Sequence, residues 1–244
     1  MNPTRDTGAR RRLLLSLIER WYSLERTRLT LRPVQVQDAP ALRDMIESLS
    51  FRDRHCRFHG AVNGISPAQL LDMVSVDRER HLGLVVTAEV VAAEVAAAET
   101  PRGETVVADA RYVVDDSGRG AELAIVVAES WRRCGIGGRA IAALQRGAAH
   151  AGLDWLHASV LADNKPMLGL LRACRFRCTP SRYDKNLVVA EIRVETRAAD
   201  SSTCRAGIGS GATPQPWRRF ARLAHLSALA APTMNADSTH SAQR

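Results

Sequence analysis

"ESWRRCGIGGRAIAALQ", from Glu129 to Gln145, places three glycines within four residues and starts an amphipathic pattern immediately afterwards. Glycine is costly in regular structure, so a cluster at a helix start signals a close approach of the backbone to another group. Free N–H groups and the positive end of a helix dipole make such a turn a grip for phosphate, and Arg132 and Arg133 add charge beside it. "AELAIVV" (121–127) reads as the strand before the turn. Ile141, Leu144 and Ala148 mark the buried face of the helix after it, which Gly152 closes.

Around this unit the chain alternates. Strands are expected at 28–34, 81–90, 104–116, 120–129, 154–161 and 182–195, with "DDSGRG" as a hairpin turn between the third and fourth. Helices are expected at 11–24 (face Leu14, Leu17, Ile18, Trp21), 36–50, 65–76 and 164–174. Asp38 is placed to cap the second of these, over a buried face of Ala41, Leu42, Met45, Ile46 and Leu49, and Ser66 with Pro67 to open the third. Residues 90–99, "VVAAEVAAAE", fit helix or strand equally. The order is that of a mixed α/β domain.

The net charge of +8 is not spread evenly. Residues 1–28 and 196–244 each carry +4, and the segment between them is neutral, with 21 bases and 21 acids. The basicity therefore belongs to the flanks, which argues against a nucleic-acid-binding core. From Thr196 onward Ser, Thr, Gly, Ala and Pro dominate, and a disordered basic tail is expected apart from a basic amphipathic stretch at 216–231. Five cysteines without a C-x-x-C pair fit a reducing, cytoplasmic setting. The run His55-Cys56-Arg57-Phe58-His59 has no second cluster, so no metal is expected. No apolar stretch approaches the ~20 residues of a membrane span.

Three phosphate-binding patterns compete for the glycine turn. A P-loop needs Lys and then Ser or Thr after the last glycine, where Arg139 and Ala140 stand. The dinucleotide fingerprint G-x-G-x-x-A is matched literally by residues 135–140, but it opens the first βα unit of its fold and needs an acid at the next strand end. Here a long stretch precedes it and "WLHASVL" (155–161) offers no such acid. The third pattern, [Q/R]-x-x-G-x-[G/A], is present as Arg132-Arg133-Cys134-Gly135-Ile136-Gly137. Through it the chain resembles the GNAT superfamily of acetyl-CoA-dependent N-acetyltransferases over residues 28–180. It is most similar to the acetyltransferase domain of bacterial protein-lysine acetyltransferases. That closer resemblance is carried by 31–62, "ISPAQL" (65–70), "ADARYVVDD" (108–116), "AELAIVV" and "VLADNKPMLGLLR" (160–172).

The resemblance implies a GNAT fold: one domain over 28–195, with a mixed sheet of about six to seven strands and about four helices. Residues 1–27 would be a basic extension with a short helix, and a chain of residues 25–196 would fold alone. Acetyl-CoA would be the co-substrate. Backbone N–H groups from Arg133 through Cys134, Gly135, Ile136 and Gly137 to Gly138 would cradle its pyrophosphate, with Arg132 adding charge. Ile125, Val126 and Val127 would pair with its amide arm as an added strand, one N–H polarising the thioester carbonyl. Asn164 would contact the cofactor, cap the next helix, or do both. Glu122 would be the general base for an acceptor amine, a protein lysine or else a small amine. A non-catalytic acetyl-CoA-binding module is the alternative from another class.

Two departures bear on the mechanism. Many family members place a tyrosine acid in the last helix, four residues before Gly-Phe; here Leu171 and Arg175 occupy the tyrosine and glycine positions. No acid is assigned, and water would protonate the leaving thiolate. Cys134 and Cys174 are expected to be packing residues, since direct transfer to an amine needs no acyl-enzyme.

Overall fold

The computed structural model describes residues 13–58, 65–76, 80–89 and 103–195. The chain enters through a helical turn at 13–16 and forms strands β1 (Glu19–Tyr22) and β2 (Arg28–Pro33). Helices α1 (Ala39–Ser48), α2 (Phe51–Phe58) and α3 (Pro67–Val74) follow. Strands β3 (His81–Glu89), β4 (Glu104–Val114) and β5 (Gly120–Val127) lead into α4 (Ile136–His150). Then come β6 (Trp155–Leu161), α5 (Lys165–Ala173), β7 (Arg177–Pro180) and β8 (Leu187–Arg193).

The strands make one sheet in the order β1-β2-β3-β4-β5-β6-β8-β7. Every neighbouring pair is antiparallel except β5 with β6, whose parallel pairing needs the long crossover that α4 supplies. Helices cover both faces. On one side Ile141, Leu144 and Ala148 of α4 share a single core with Leu82, Leu84 and Val86 of β3 and with Leu168 and Leu171 of α5. Leu42, Met45 and Ile46 of α1, with Leu70 and Val74 of α3, pack on Val85, Val106 and Val126 from the other side. This is why β3 is buried along nearly its whole length: both its faces meet apolar side chains.

Local signals hold where they coincide with packing. The hydroxyl of Ser66 caps α3 by accepting the Gln69 amide at 3.2 Å. Leu42, Met45, Ile46 and Leu49 are buried, as their spacing predicts, and Ala41 is half-buried. The turn after β4 closes through Asp115 N–H on Gly120 O at 2.9 Å. Gly152 ends α4 at φ 72°. Asp38 occupies the capping position of α1, but its carboxylate turns away to Arg32, accepting two bonds of 2.7 Å.

Other expectations give way to tertiary contacts. The helix expected over 11–24 is a single turn followed by β1; its first two residues lie outside the described ones. Glu19 and Trp21 point to the same side of that strand. There Glu19 pairs with Arg139 and Arg146 of α4, and Arg139 lies 4.9 Å above the Trp21 ring. Leu17 is completely buried in the main core, so the sheet starts before residue 25 and the short chain of 25–196 would lack a core side chain. β1 and the unforeseen β7 bring the sheet to eight strands, against about six or seven expected. β8 starts at Leu187 rather than near Arg182. The helix α2 was not foreseen either. The ambiguous segment 90–99 and the tail from Thr196 both lie wholly outside the described residues.

Candidate active site

β5 and β6 pair over three residues only: Gly120 with Trp155, Ala121 with Leu156, and Glu122 with His157. Beyond Glu122 they part. β4 stays paired with β5 as far as Val127, and β8 with β6 as far as Leu161. Leu123–Val127 thus has one bonded edge and one open edge, with alternate N–H and C=O groups turned to the gap. The gap lies in a cavity of about 2160 Å³ walled by β5, β6, α2, the glycine turn and α5. That exceeds the ~300–1,000 Å³ of an ordinary small-molecule pocket, leaving room for a long ligand and a second reactant.

The glycine turn closes one end. Arg133 (φ 66°) and Gly135 (φ 76°) are both left-handed, which folds the loop tightly before α4 begins. The first turn of a helix lacks internal acceptors for its amides. Here the Arg139 amide reaches Gly135 O at 3.2 Å, and the amides ahead of it line the cavity end. The three glycines have different reasons. Gly135 takes a conformation that side chains resist. At Gly137 a Cβ would sit 2.7 Å from Leu170 Cδ2, so this glycine lets α5 approach α4. At Gly138 a Cβ would meet nothing within 4 Å, so fold packing does not demand this one.

Glu122, Ile125, Val126, Val127, Arg132, Arg133, Gly135, Ile136, Gly137, Gly138 and Asn164 all border this one cavity. Cys134 does not: it packs against the core, its Sγ 3.5 Å from Arg132 O. Arg132 reaches back to α2, with Nη2 2.7 Å from Asp53 Oδ1, and its Nε donates to Val127 O at 3.3 Å. Asn164 caps α5 by accepting the Met167 amide at 3.2 Å. Leu171 is fully buried, and Arg175 stands at φ 67°, in the left-handed region that favours glycine.

Glu122 sits at the fork of the two strands. Burial pushes its carboxyl up to about 7, against the pull of the Arg57 guanidinium. His157 faces it across the last pair, with Nε2 3.9 Å from Asp115 Oδ2, and burial lowers its pKa. Behind Glu122 lies an ionic cluster that the sequence reading did not foresee. Asp109 is fully buried and accepts from Arg57 Nη2 at 3.1 Å and from Arg111 through Nε at 3.1 Å and Nη2. Burial alone would raise the Asp109 pKa; Arg111 and Arg57 instead hold it below the ordinary carboxylate value. Its trace in the sequence is the pair Asp109 and Arg111, two charges on one face within the buried middle of β4.

Burial raises the thiol pKa values of Cys56 and Cys174, which is opposite to an activated nucleophile. Among the described residues no group of three or more His, Cys, Asp or Glu is placed to hold a metal. His55 stacks on Phe51, and His59 lies outside those residues.

A family model described as the acetyltransferase (GNAT) domain matches residues 28–177. The chain belongs to the GNAT acetyltransferase family. This GNAT chain is an N-acetyltransferase that uses acetyl-CoA. Its fold is shared with the GNAT domain of S. lividans PAT, at 20% identity and a TM-score of 0.59 over 73% of this chain and 97% of that one. A putative acetyltransferase from Salmonella typhimurium, solved with acetyl-CoA, matches at 14% identity and TM-score 0.52, over 72% of this chain and 99% of that one. Mycobacterium smegmatis RimJ, solved with a CoA-disulfide, matches at 19% identity and TM-score 0.52, over 72% and 86%. Among the described residues no helix is long and apolar enough to cross a membrane.

Proposed function

We propose that this GNAT enzyme acetylates a lysine side chain of a protein by direct transfer from acetyl-CoA, with Glu122 as general base. The observation that carries the reading is the place of Glu122: it lines the cavity at the fork of β5 and β6, with its carboxyl near pH 7. A lysine ammonium, with a pKa near 10.4, must lose a proton before it can attack. Glu122 takes that proton, directly or through one water, at a pKa suited to neutral conditions.

The open edge from Ile125 to Val127 pairs with the amide arm of acetyl-CoA, and one N–H there steadies the thioester oxygen as it gains charge. Amides from Arg133 to Gly138 hold the pyrophosphate, with Arg132 and Asn164 beside them. The amine nitrogen bonds to the carbonyl carbon, the carbon–sulfur bond breaks, and water protonates the thiolate. Three features support a protein acceptor: the motifs shared with lysine-acetylating relatives, a cavity larger than a small amine requires, and the acids Asp115 and Glu191 on its wall. The test is release of the CoA thiol with lysine-containing proteins and with a panel of small amines. Turnover on proteins supports the reading. Turnover confined to small amines would transfer the same chemistry to another acceptor, and none with either would favour a binding module.

A further inference from the structure

The ion pair between Arg132 and Asp53 joins two walls of the cavity, and the proposed reaction gives Asp53 no task in it. Asp53 is held in place by its own helix. Ser50, the residue before α2, accepts the Asp53 amide on its hydroxyl at 3.1 Å, and that hydroxyl donates to Asp53 Oδ2 at 2.7 Å. The other oxygen, Oδ1, meets Arg132 Nη2 at 2.7 Å, on a carboxylate only 19% exposed.

Arg132 is gripped at two points. Its Nε donates to Val127 O at 3.3 Å and its Nη2 to Asp53, and among the described residues these are the partners of its guanidinium. A guanidinium is a rigid plane with five N–H donors, so two attachments fix its orientation and leave donors for a third group. The side chain lines the cavity beside the glycine-turn amides. On the opposite lip, Arg52 Nη2 lies 3.6 Å from Asp163 Oδ2. The glycine turn follows β5 and Asp163 follows β6, so these two pairs set α2 across the gap that opens beyond Glu122. The Arg52 pair is exposed and holds little by itself. The Asp53 pair is shorter and better covered.

By its charge alone, a carboxylate beside a polyanion repels it. Behind an arginine it acts differently, because the arginine is ordered before the anion arrives and loses less freedom on gripping it. We propose that Asp53 is a positioning residue for acetyl-CoA: held by Ser50, it fixes the Arg132 guanidinium against Val127 O with the remaining donors turned to the pyrophosphate. This rests on Arg132 meeting that pyrophosphate.

The test is calorimetry of the full chain with two ligands, acetyl-CoA and S-acetylpantetheine, which has the amide arm and thioester but no pyrophosphate. Asp53→Ala should weaken acetyl-CoA binding by about fivefold or more, within the range of coupling between contacting residues, and leave acetylpantetheine binding unchanged. Charge alone predicts the reverse, so tighter or unchanged acetyl-CoA binding in the folded variant overturns the proposal. An equal loss for both ligands also overturns it, since that marks a damaged cavity wall. In an Arg132→Gln background Asp53→Ala should no longer weaken acetyl-CoA, and a loss of the same size there overturns the proposal. Should Asp53→Ala not fold, Asp53→Asn, which keeps the shape of the side chain, is read by the same criteria. Arg132→Gln alone tests the reading beneath. Wild-type affinity for acetyl-CoA in that variant takes Arg132 away from the pyrophosphate whatever Asp53 does. Weakened affinity there, with none lost in Asp53→Ala, keeps Arg132 in its place and rejects the role of Asp53.

Discussion

Glu122 and His157 face each other at the last rung that β5 and β6 share, and one residue further on the strands have separated. The carboxylate is therefore close enough to the core to be desolvated and close enough to the gap to meet a ligand. Its ionisation costs the fold something. In the unfolded chain it titrates near 4.3, and in the folded protein at about 7. The folded state thus holds a proton that the unfolded state has lost between those values, and stability falls as pH rises through that window. Glu122→Gln removes the loss. Urea unfolding should give equal stability for both proteins below about pH 4.3, and a variant more stable by about 1–3 kcal/mol above pH 7. The same variant should bind acetyl-CoA normally and lose about 10²-fold in turnover at pH 7, with a smaller deficit at high pH.

The different reasons for Gly137 and Gly138 separate packing from ligand contact. Gly138→Asp points a carboxylate into open space beside the expected pyrophosphate, so the protein should fold while acetyl-CoA affinity drops at least tenfold, about 1.4 kcal/mol. Gly137→Asp drives its side chain against Leu170 and should lower the melting temperature as well. Calorimetry with unchanged affinity in folded Gly138→Asp would remove the phosphate from this turn.

Leu17 tests where the folded unit starts. It is completely buried beside β1, so Leu17→Ala should cost about 2–5 kcal/mol in denaturant unfolding. A loss below about 0.5 kcal/mol would mean that the segment before residue 25 is an appendage after all.

Arg175 occupies a left-handed backbone position just after α5. A side chain there costs about 1–2 kcal/mol, and glycine gives back part of that gain as chain entropy. Arg175→Gly should therefore stabilise the protein by about 0.5–1 kcal/mol, raising the melting temperature without changing acetyl-CoA binding. No gain would show that contacts of Arg175 already offset the strain.

What the sequence determined by itself is local. The spacing of Leu42, Met45 and Ile46, the Ser66 cap, the turn at Asp115 and the glycine turn before α4 each depend on residues within one or two helical turns of one another. For the same reason the strand, turn and helix that carry Glu122 and Gly135 could be placed in order before their distances were known. Tertiary structure decided what depends on partners far away in the chain. Residues 19–22 are a strand because β2 supplies hydrogen bonds and α4 supplies Arg139 and Arg146 for Glu19. β7 exists because β8 pairs with it. Arg57 meets Asp109 across 52 residues of chain, a contact that no local pattern encodes. Burial then turns Glu122 from an ordinary acid into one that titrates near neutrality, because the cost of a charge is set by the surroundings that the whole fold assembles.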